Sequence, residues 1–160
     1  MPSDVRDIQS NSNSIRTMQI TFTIIGEPMG KQRPKFSRAG SFVKTYTPEA
    51  TANYEQWVKL SYMQQRGDTA VIEDKEIAVT ITAYFKIPAS VSKKKAEQMR
   101  LGYIRPTKKP DFDNIAKIIC DALNGLAYKD DAAIVSAVVD KYYAPDDEPK
   151  VIVEIKTLEP

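Results

Sequence analysis

The chain contains no histidine among its 160 residues. This absence removes the commonest general base, the Ser-His and Cys-His nucleophile systems, and nearly all zinc chemistry. Any catalysis must therefore use carboxylates, lysine, tyrosine or a hard metal ion.

Cysteine and long apolar runs are also scarce. The single cysteine, Cys120, has no partner for an internal disulfide, which is typical of a protein in a reducing compartment. No apolar run approaches the roughly 20 residues of a membrane-spanning helix, and no leader of the charged, apolar, small-residue type begins the chain. These features predict a cytoplasmic protein with no membrane association.

The length favours one domain, preceded by a short tail. Residues 1–17 are rich in Ser, Asn and Asp and have no apolar periodicity, so they are predicted to be disordered. Residues 18–160 are expected to form the folded domain.

The net charge of +2 is uninformative, but its distribution is not. Residues 26–46 carry five bases and one acid, a local charge of +4, and residues 92–109 carry seven bases and one acid, a local charge of +6. Residues 130–160 carry eight acids and three bases, a local charge of −5. Such basic segments often form only a solvated surface, but two of them flanking a candidate site are expected of a chain that binds phosphates.

Apolar periodicity predicts a mixed α/β fold with a four-stranded sheet and two main helices. The strands are predicted at 19–25, 76–87, 133–143 and 150–157, and the helices at 48–65 and 113–126. Residues 26–46 are expected to be a basic loop, and Tyr54 and Trp57 to lie in the core. The turn-rich segment between the last two strands predicts that they pair as an antiparallel hairpin.

The second predicted helix begins within the stretch "KKPDFDNIAKIICDALNG", residues 108–125. Asp111 lies just before the helix and Asp113 in its first turn, so both carboxylates can point into the same space. Two or three carboxylates with water and a substrate phosphate are what Mg²⁺ prefers. Lys117, one turn later, could orient a water molecule, neutralise a phosphate oxygen or simply pair with Asp113.

A purely structural interpretation of these acids is also available. Aspartate near a helix start caps backbone N–H groups, and two aspartates in a turn, such as Asp130 and Asp131, are common. The D-x-D pattern alone is therefore weak. Its coincidence with a lysine on the same helix, a second acidic pair and two basic segments favours metal-assisted phosphodiester hydrolysis.

The longer stretch "KPDFDNIAKIICDALNGLAYKDDAAI" resembles the signature of the RusA family of Holliday junction resolvases, found in phages and prophages. The earlier "GEPMGKQRPKFSR" resembles that family's G-x-P-x-x-K-x-R-P-R loop. The resemblance covers residues 19–157. It implies a homodimer that cuts four-way DNA junctions by paired, symmetrical nicks during recombination and repair.

The resemblance also implies roles for individual residues. Asp111, Asp113 and Asp131 would bind catalytic Mg²⁺, Lys117 would assist catalysis, and Asp130 is an auxiliary candidate. The predicted contacts to the DNA backbone are Lys31, Arg33, Lys35, Arg38, Lys108 and Lys109.

The distance from Asp113 to Asp131 poses a geometric problem. The predicted helix places its own C-terminal end about 20 Å from Asp113, at ~1.5 Å per residue. Asp131 can therefore join the D-x-D pair only if residues 127–131 double back, or if it comes from a dimer partner.

Two other functions fit the same residues. A non-catalytic accessory protein that binds branched DNA would use the basic segments and keep the acids as caps. A hydrolase of small phosphoesters is disfavoured, because two long basic segments suit a polymer better than a single phosphate.

Overall fold

The computed structural model describes residues 17–159 as a four-stranded mixed sheet, a separate two-stranded hairpin and three helices. The strands are β1 (Gln19–Ile25), β2 (Lys35–Ala39), β3 (Phe42–Tyr46), β4 (Glu76–Phe85), β5 (Ile134–Tyr143) and β6 (Lys150–Leu158). The helices are α1 (Glu49–Arg66), α2 (Lys93–Arg100) and α3 (Phe112–Leu123). The predicted mixed α/β class is confirmed.

Two predictions from the sequence can be compared only with residues 17–159, which the structure describes. The predicted tail lies outside the described residues, except for its last position. Within the described range, no helix is both long enough and apolar enough to cross a membrane.

The sheet order is β1-β6-β4-β5, with β6 antiparallel to both of its neighbours and β4 parallel to β5. The prediction that β5 and β6 form a hairpin is therefore wrong, because β4 lies between them. A parallel pair requires a long crossover, and α2 and α3 supply it between β4 and β5. The turn signal at residues 144–149 shows that the chain reverses, but it does not show which strand the returning segment will pair with.

The core lies between one face of the sheet and the helices α1 and α3. Alternate residues of β1, β4 and β6 are buried there, as the period-two pattern predicts. The buried face of α3 consists of Ile115, Ile118, Ile119, Ala122 and Leu123. Full burial of a large aliphatic side chain contributes about 1.5–3 kcal/mol, so this face holds α3 firmly against the sheet.

The two edges of the sheet are treated differently. Side chains of α1 cover the outer edge of β1: Gln65 pairs with both the N–H and the C=O of Thr23, at 2.9 and 2.7 Å. Trp57 donates its indole N–H to the carbonyl of Ile25 at 2.7 Å. Trp57 was predicted to lie in the core but is 40% exposed, because its indole is bonded to the edge strand. Tyr54 is buried, as predicted.

The opposite edge belongs to β5. Arg105 donates to the carbonyl of Lys141 at 2.8 Å near the end of this strand. Over residues 135–140, no side chain of the described chain is hydrogen-bonded to the outer backbone of β5. An open strand edge of this kind is available for pairing with another chain.

The basic segment 26–46 is not wholly a loop, as had been predicted. Its second half forms the β2–β3 hairpin, closed by the two-residue turn Gly40-Ser41. Gly40 has a φ of +67°, which a hairpin turn of type II′ requires at its first central position. The sequence contained a signal for this hairpin: a Gly-Ser pair between two short runs that mix apolar and polar residues.

Candidate catalytic site and nucleic-acid interface

The start of α3 presents both aspartates of the D-x-D pair. Asp111 is the N-cap residue, with extended backbone, yet its side chain accepts no capping hydrogen bond. Asp113 lies in the first turn. Both residues are exposed. Side-chain capping therefore does not account for Asp111, and its carboxylate is open to a ligand.

Asp113, Lys117 and Asp131 line one open depression of about 510 Å³ between α3 and β5. The remaining lining is mostly apolar: Phe112, Ala116, Cys120, Ile134, Ala137 and Val139. Within the described chain, Asp113 and Lys117 form no ion pair with each other or with any other residue. The simple i, i+4 pairing considered from the sequence is thus not formed.

Asp131 reaches this depression because the chain doubles back after α3. Gly125, with a φ of +74°, donates its N–H to the carbonyl of Tyr128 at 2.8 Å. The N–H of Asp131 then donates to Oδ1 of Asn124 at 2.8 Å. The chain therefore doubles back, and Asp131 lines the same depression as Asp113 within a single chain.

The neighbouring Asp130 has a different environment. Its carboxylate accepts the N–H of Ala132 at 2.9 Å, and this bond lowers the pKa of Asp130. Partial burial raises the pKa of Asp131, and the adjacent carboxylates of Asp130 and Asp121 raise it further. Asp130 therefore acts as a local cap, while the side chain of Asp131 faces the depression.

Asp111 lies on the other side of the helix start. It lines a second depression of about 360 Å³ together with residues 28–32, Lys109, Pro110 and Asn114. Among residues 17–159 no group of three acidic or cysteine side chains is close enough to hold a metal ion together. Mg²⁺ commonly uses only one or two carboxylates, completed by water and substrate phosphates, so the oxygen donors present suit it.

Lys31 was predicted to contact DNA, but the structure places it in an internal ion cluster. Its Nζ contacts Oε1 of Glu55 and lies 3.4 Å from Oδ2 of Asp121. Partial burial lowers the pKa of Lys31, but the two carboxylates outweigh that effect and leave it raised. Glu55 and Asp121 went unrecognised in the sequence, because their distance along the chain gives no sign that they meet Lys31.

This cluster helps to hold the loop of residues 26–34 against α3. The N–H of Lys31 donates to the carbonyl of Asn114 at 2.8 Å. A Cβ atom at Gly30 would lie 2.8 Å from Cβ of Pro110 and 3.0 Å from Cβ of Asn114. Only glycine permits so close an approach.

The other predicted DNA contacts remain accessible. Five of them are exposed: Arg33, Lys35, Arg38, Lys108 and Lys109. Elsewhere in the second basic segment, Arg100 lies 3.5 Å from Asp147 and Arg105 lies 2.9 Å from Asp140. Part of that segment's charge is thus neutralised within the chain, while the two lysines beside Asp111 are left in solvent.

Lys141 is a residue of this site that the sequence did not reveal. From β5 it donates to the carbonyls of Lys108 and, at 2.9 Å, Pro110. Partial burial lowers the pKa of Lys141, and Lys108 adds to the effect, whereas the nearby Asp111 opposes it. Lys141 therefore fixes the segment that leads into the D-x-D pair.

Comparison with known proteins identifies the family of the chain. Residues 26–156 match the family Endodeoxyribonuclease RusA. The chain belongs to the RusA family. A Bacillus subtilis (strain 168) protein, the uncharacterized protein YqaN, is 39% identical over 139 residues, which cover 86% of this chain and 95% of that protein. The predicted resemblance is confirmed, and membership in a family of endodeoxyribonucleases supports nuclease activity.

The RusA-type loop around Gly30 generates a test of the site's packing. We expect Gly30→Ala to lower the free energy of unfolding by about 1–3 kcal/mol, because the added methyl group forces the loop and the start of α3 apart. Urea unfolding measures this loss. Gly40→Ala shows the effect of backbone strain alone, since its Cβ would meet nothing within 4 Å and its loss of stability would come from a positive φ that Gly30 does not have. Unchanged stability of Gly30→Ala would contradict the close packing.

Cys120 provides a second test in the same depression. Burial raises the pKa of its thiol from 9.0 to about 11. Because only the thiolate reacts, alkylation by iodoacetamide at pH 8 should be about 100-fold slower than in the urea-unfolded chain, and should accelerate as the pH approaches 11. Equal rates in the folded and unfolded chain would show that Cys120 is not shielded.

Proposed function

We propose that this protein is a Mg²⁺-dependent endodeoxyribonuclease that resolves Holliday junctions by paired, symmetrical nicking in recombination and repair. The observation that carries the proposal is that Asp113, Lys117 and Asp131 line one depression. Asp111 lies two residues before Asp113, and its side chain makes no capping hydrogen bond. Membership in an endodeoxyribonuclease family supports the same chemistry.

The acidic residues have the oxygen donors that Mg²⁺ prefers. Asp111, Asp113 and Asp131 would hold the metal, and its chemistry there would be to neutralise charge on the scissile phosphate and to favour attack by water. Asp130 is an auxiliary residue, which supports Asp131 by capping the following turn. Lys117 lines the same depression, where its ammonium group would stabilise negative charge that develops on the phosphate oxygens.

The exposed bases would position the DNA backbone. Lys108 and Lys109 directly precede the D-x-D pair, and Arg33 lines a groove with Asn114 and Lys117. Such phosphate contacts supply affinity without sequence information. Lys31 contributes indirectly, by holding the loop that carries Arg33.

The open edge of β5 supports the proposed homodimer. Val138 is 49% exposed and Val135 is 59% exposed on this strand, which also borders the depression. In a two-fold dimer formed along β5, the symmetry axis would relate two copies of the site, one in each subunit. That symmetry matches a four-way junction, in which two strands are cut symmetrically.

The catalytic assignment is tested with a labelled four-way junction. We expect Asp111→Asn, Asp113→Asn and Asp131→Asn each to reduce nicking at least about 100-fold, because each removes charge from the metal site, while junction binding changes less than about threefold. Asp68→Asn alters an exposed aspartate in the turn after α1 and should leave nicking unchanged.

Three-way and linear DNA, each with Mg²⁺ or EDTA, complete that experiment. The wild-type protein should cut the four-way junction only when Mg²⁺ is present. Binding without nicking in Mg²⁺ would instead assign the protein as a non-catalytic accessory factor, a function favoured by the lack of a preformed three-carboxylate cluster in the described chain.

The dimer is tested at β5. Val138→Lys should weaken self-association at least about tenfold, because a charged side chain on an edge strand opposes pairing with a second strand. Sedimentation measures this change, and paired nicks on one junction should become independent single nicks. Ile25→Lys, at an exposed position of the covered β1 edge, is the control. A wild-type monomer that still makes paired nicks would refute the dimer.

A further inference from the structure

The β2–β3 hairpin carries two phenyl rings that the described chain leaves uncovered. Phe36 is 74% exposed and Phe42 is 79% exposed. All five residues of β2 are exposed, and β2 and β3 form a sheet separate from the main one. Val43 of β3, on the same face as Phe36, is 58% exposed, and adjoining exposed apolar side chains typically mark a surface that a partner covers.

The rings lie on opposite faces of the hairpin. Strand pairing joins Phe42 to Ala39, and it joins Phe36 to Thr45. Since side chains alternate along a strand and paired residues share a face, Phe36 lies on the face of Arg38, and Phe42 lies on the face of Lys44. Each face therefore combines one aromatic ring with positive charge.

The charge of the hairpin identifies the kind of partner. Residues 35–46 contain three bases and no acid. None of these bases forms an ion pair within the described chain. Rings beside unpaired cations suit a polyanion with flat apolar groups, which is the chemistry of nucleic-acid bases on a phosphate backbone. The hairpin of a second copy would bring the same positive charge.

The base of the hairpin adjoins the candidate catalytic site. Arg33 and Pro34, just before β2, line a groove with Asn114 and Lys117. A five-residue strand at ~3.3 Å per residue extends roughly 17 Å from that groove. This length suffices to reach nucleotides next to a phosphate held near Lys117.

We propose that Phe36 and Phe42 stack on unpaired bases at the branch point of DNA, one ring on each face of the hairpin. This inference rests on the proposed function, because it concerns the same DNA. Bases within a duplex are covered by their neighbours, whereas those at a branch point can be exposed. The hairpin would thus help to distinguish branched from linear DNA.

The test uses the full-length chain in an Asp113→Asn background, so that the DNA stays intact. The probe is a four-way junction with 2-aminopurine at the branch point, whose fluorescence rises when the base leaves its neighbours. We expect Phe36→Ala with Phe42→Ala to weaken junction binding at least about tenfold and to remove most of that rise, since one stacked base contributes roughly 5- to 150-fold in affinity. Binding to linear duplex should change less than threefold.

Two control variants separate stacking from other effects. Phe36→Tyr with Phe42→Tyr keeps both rings and should retain the fluorescence rise. Tyr103→Ala removes an aromatic ring that is 80% exposed outside the hairpin and should have no effect. All three positions are exposed, so the variants are expected to fold normally, as circular dichroism would verify.

The outcomes distinguish this inference from the proposed function. If the alanine variant binds and unstacks the junction like its parent, or loses linear duplex binding equally, stacking at the branch point is refuted while nuclease activity stands. If the variant changes only the oligomeric state, the rings contact a second copy, and the inference is again refuted. A wild-type protein that neither binds nor cuts junctions in Mg²⁺ would overturn both proposals.

Discussion

Burial of one face of α3 against the sheet is the constraint on which the candidate site depends. Ile115, Ile118 and Ile119 are fully buried, so the helix cannot rotate without exposing them. The opposite face, with Asp113 and Lys117, is thereby directed towards β5 and solvent. The side chains of Asp113 and Lys117 can change rotamer, but burial of the opposite face fixes the positions of their backbone atoms.

The surroundings of α3 are built from segments far apart in sequence. The loop at Gly30 packs on its first turn, Lys141 reaches the preceding carbonyls from β5, and Asp131 returns from the chain beyond its C-terminal end. These contacts come from three directions and share one helix. The same helix is part of the crossover that makes β4 and β5 parallel, so the topology of the sheet and the assembly of the site are linked.

Much of this fold could be anticipated from local patterns. Periodicity located all four strands of the main sheet and both long helices to within about three residues, because alternation and helical spacing reflect burial directly. The pairing of β5 with β4 could not be read in this way, since a turn signal carries no information about partners. Local patterns likewise did not show that β1 and β5 would be the edge strands of the sheet. The sequence also could not predict which charged groups meet. Lys31 was recognised as a base, but its neighbours Glu55 and Asp121 were not.

The sequence by itself determined the chemistry available to this protein. With no histidine and a single cysteine, it relies on carboxylates, lysine, tyrosine or hard metal ions, and the motif around Asp111 identified the family. Only the tertiary structure decided which of these groups meet. It placed Asp113 and Asp131 on one depression and Asp111 on another, put Lys31 in a partly buried ion cluster and left Phe36 and Phe42 exposed. The reason is physical: residue types are local properties, whereas distances between remote side chains are set by packing the whole core.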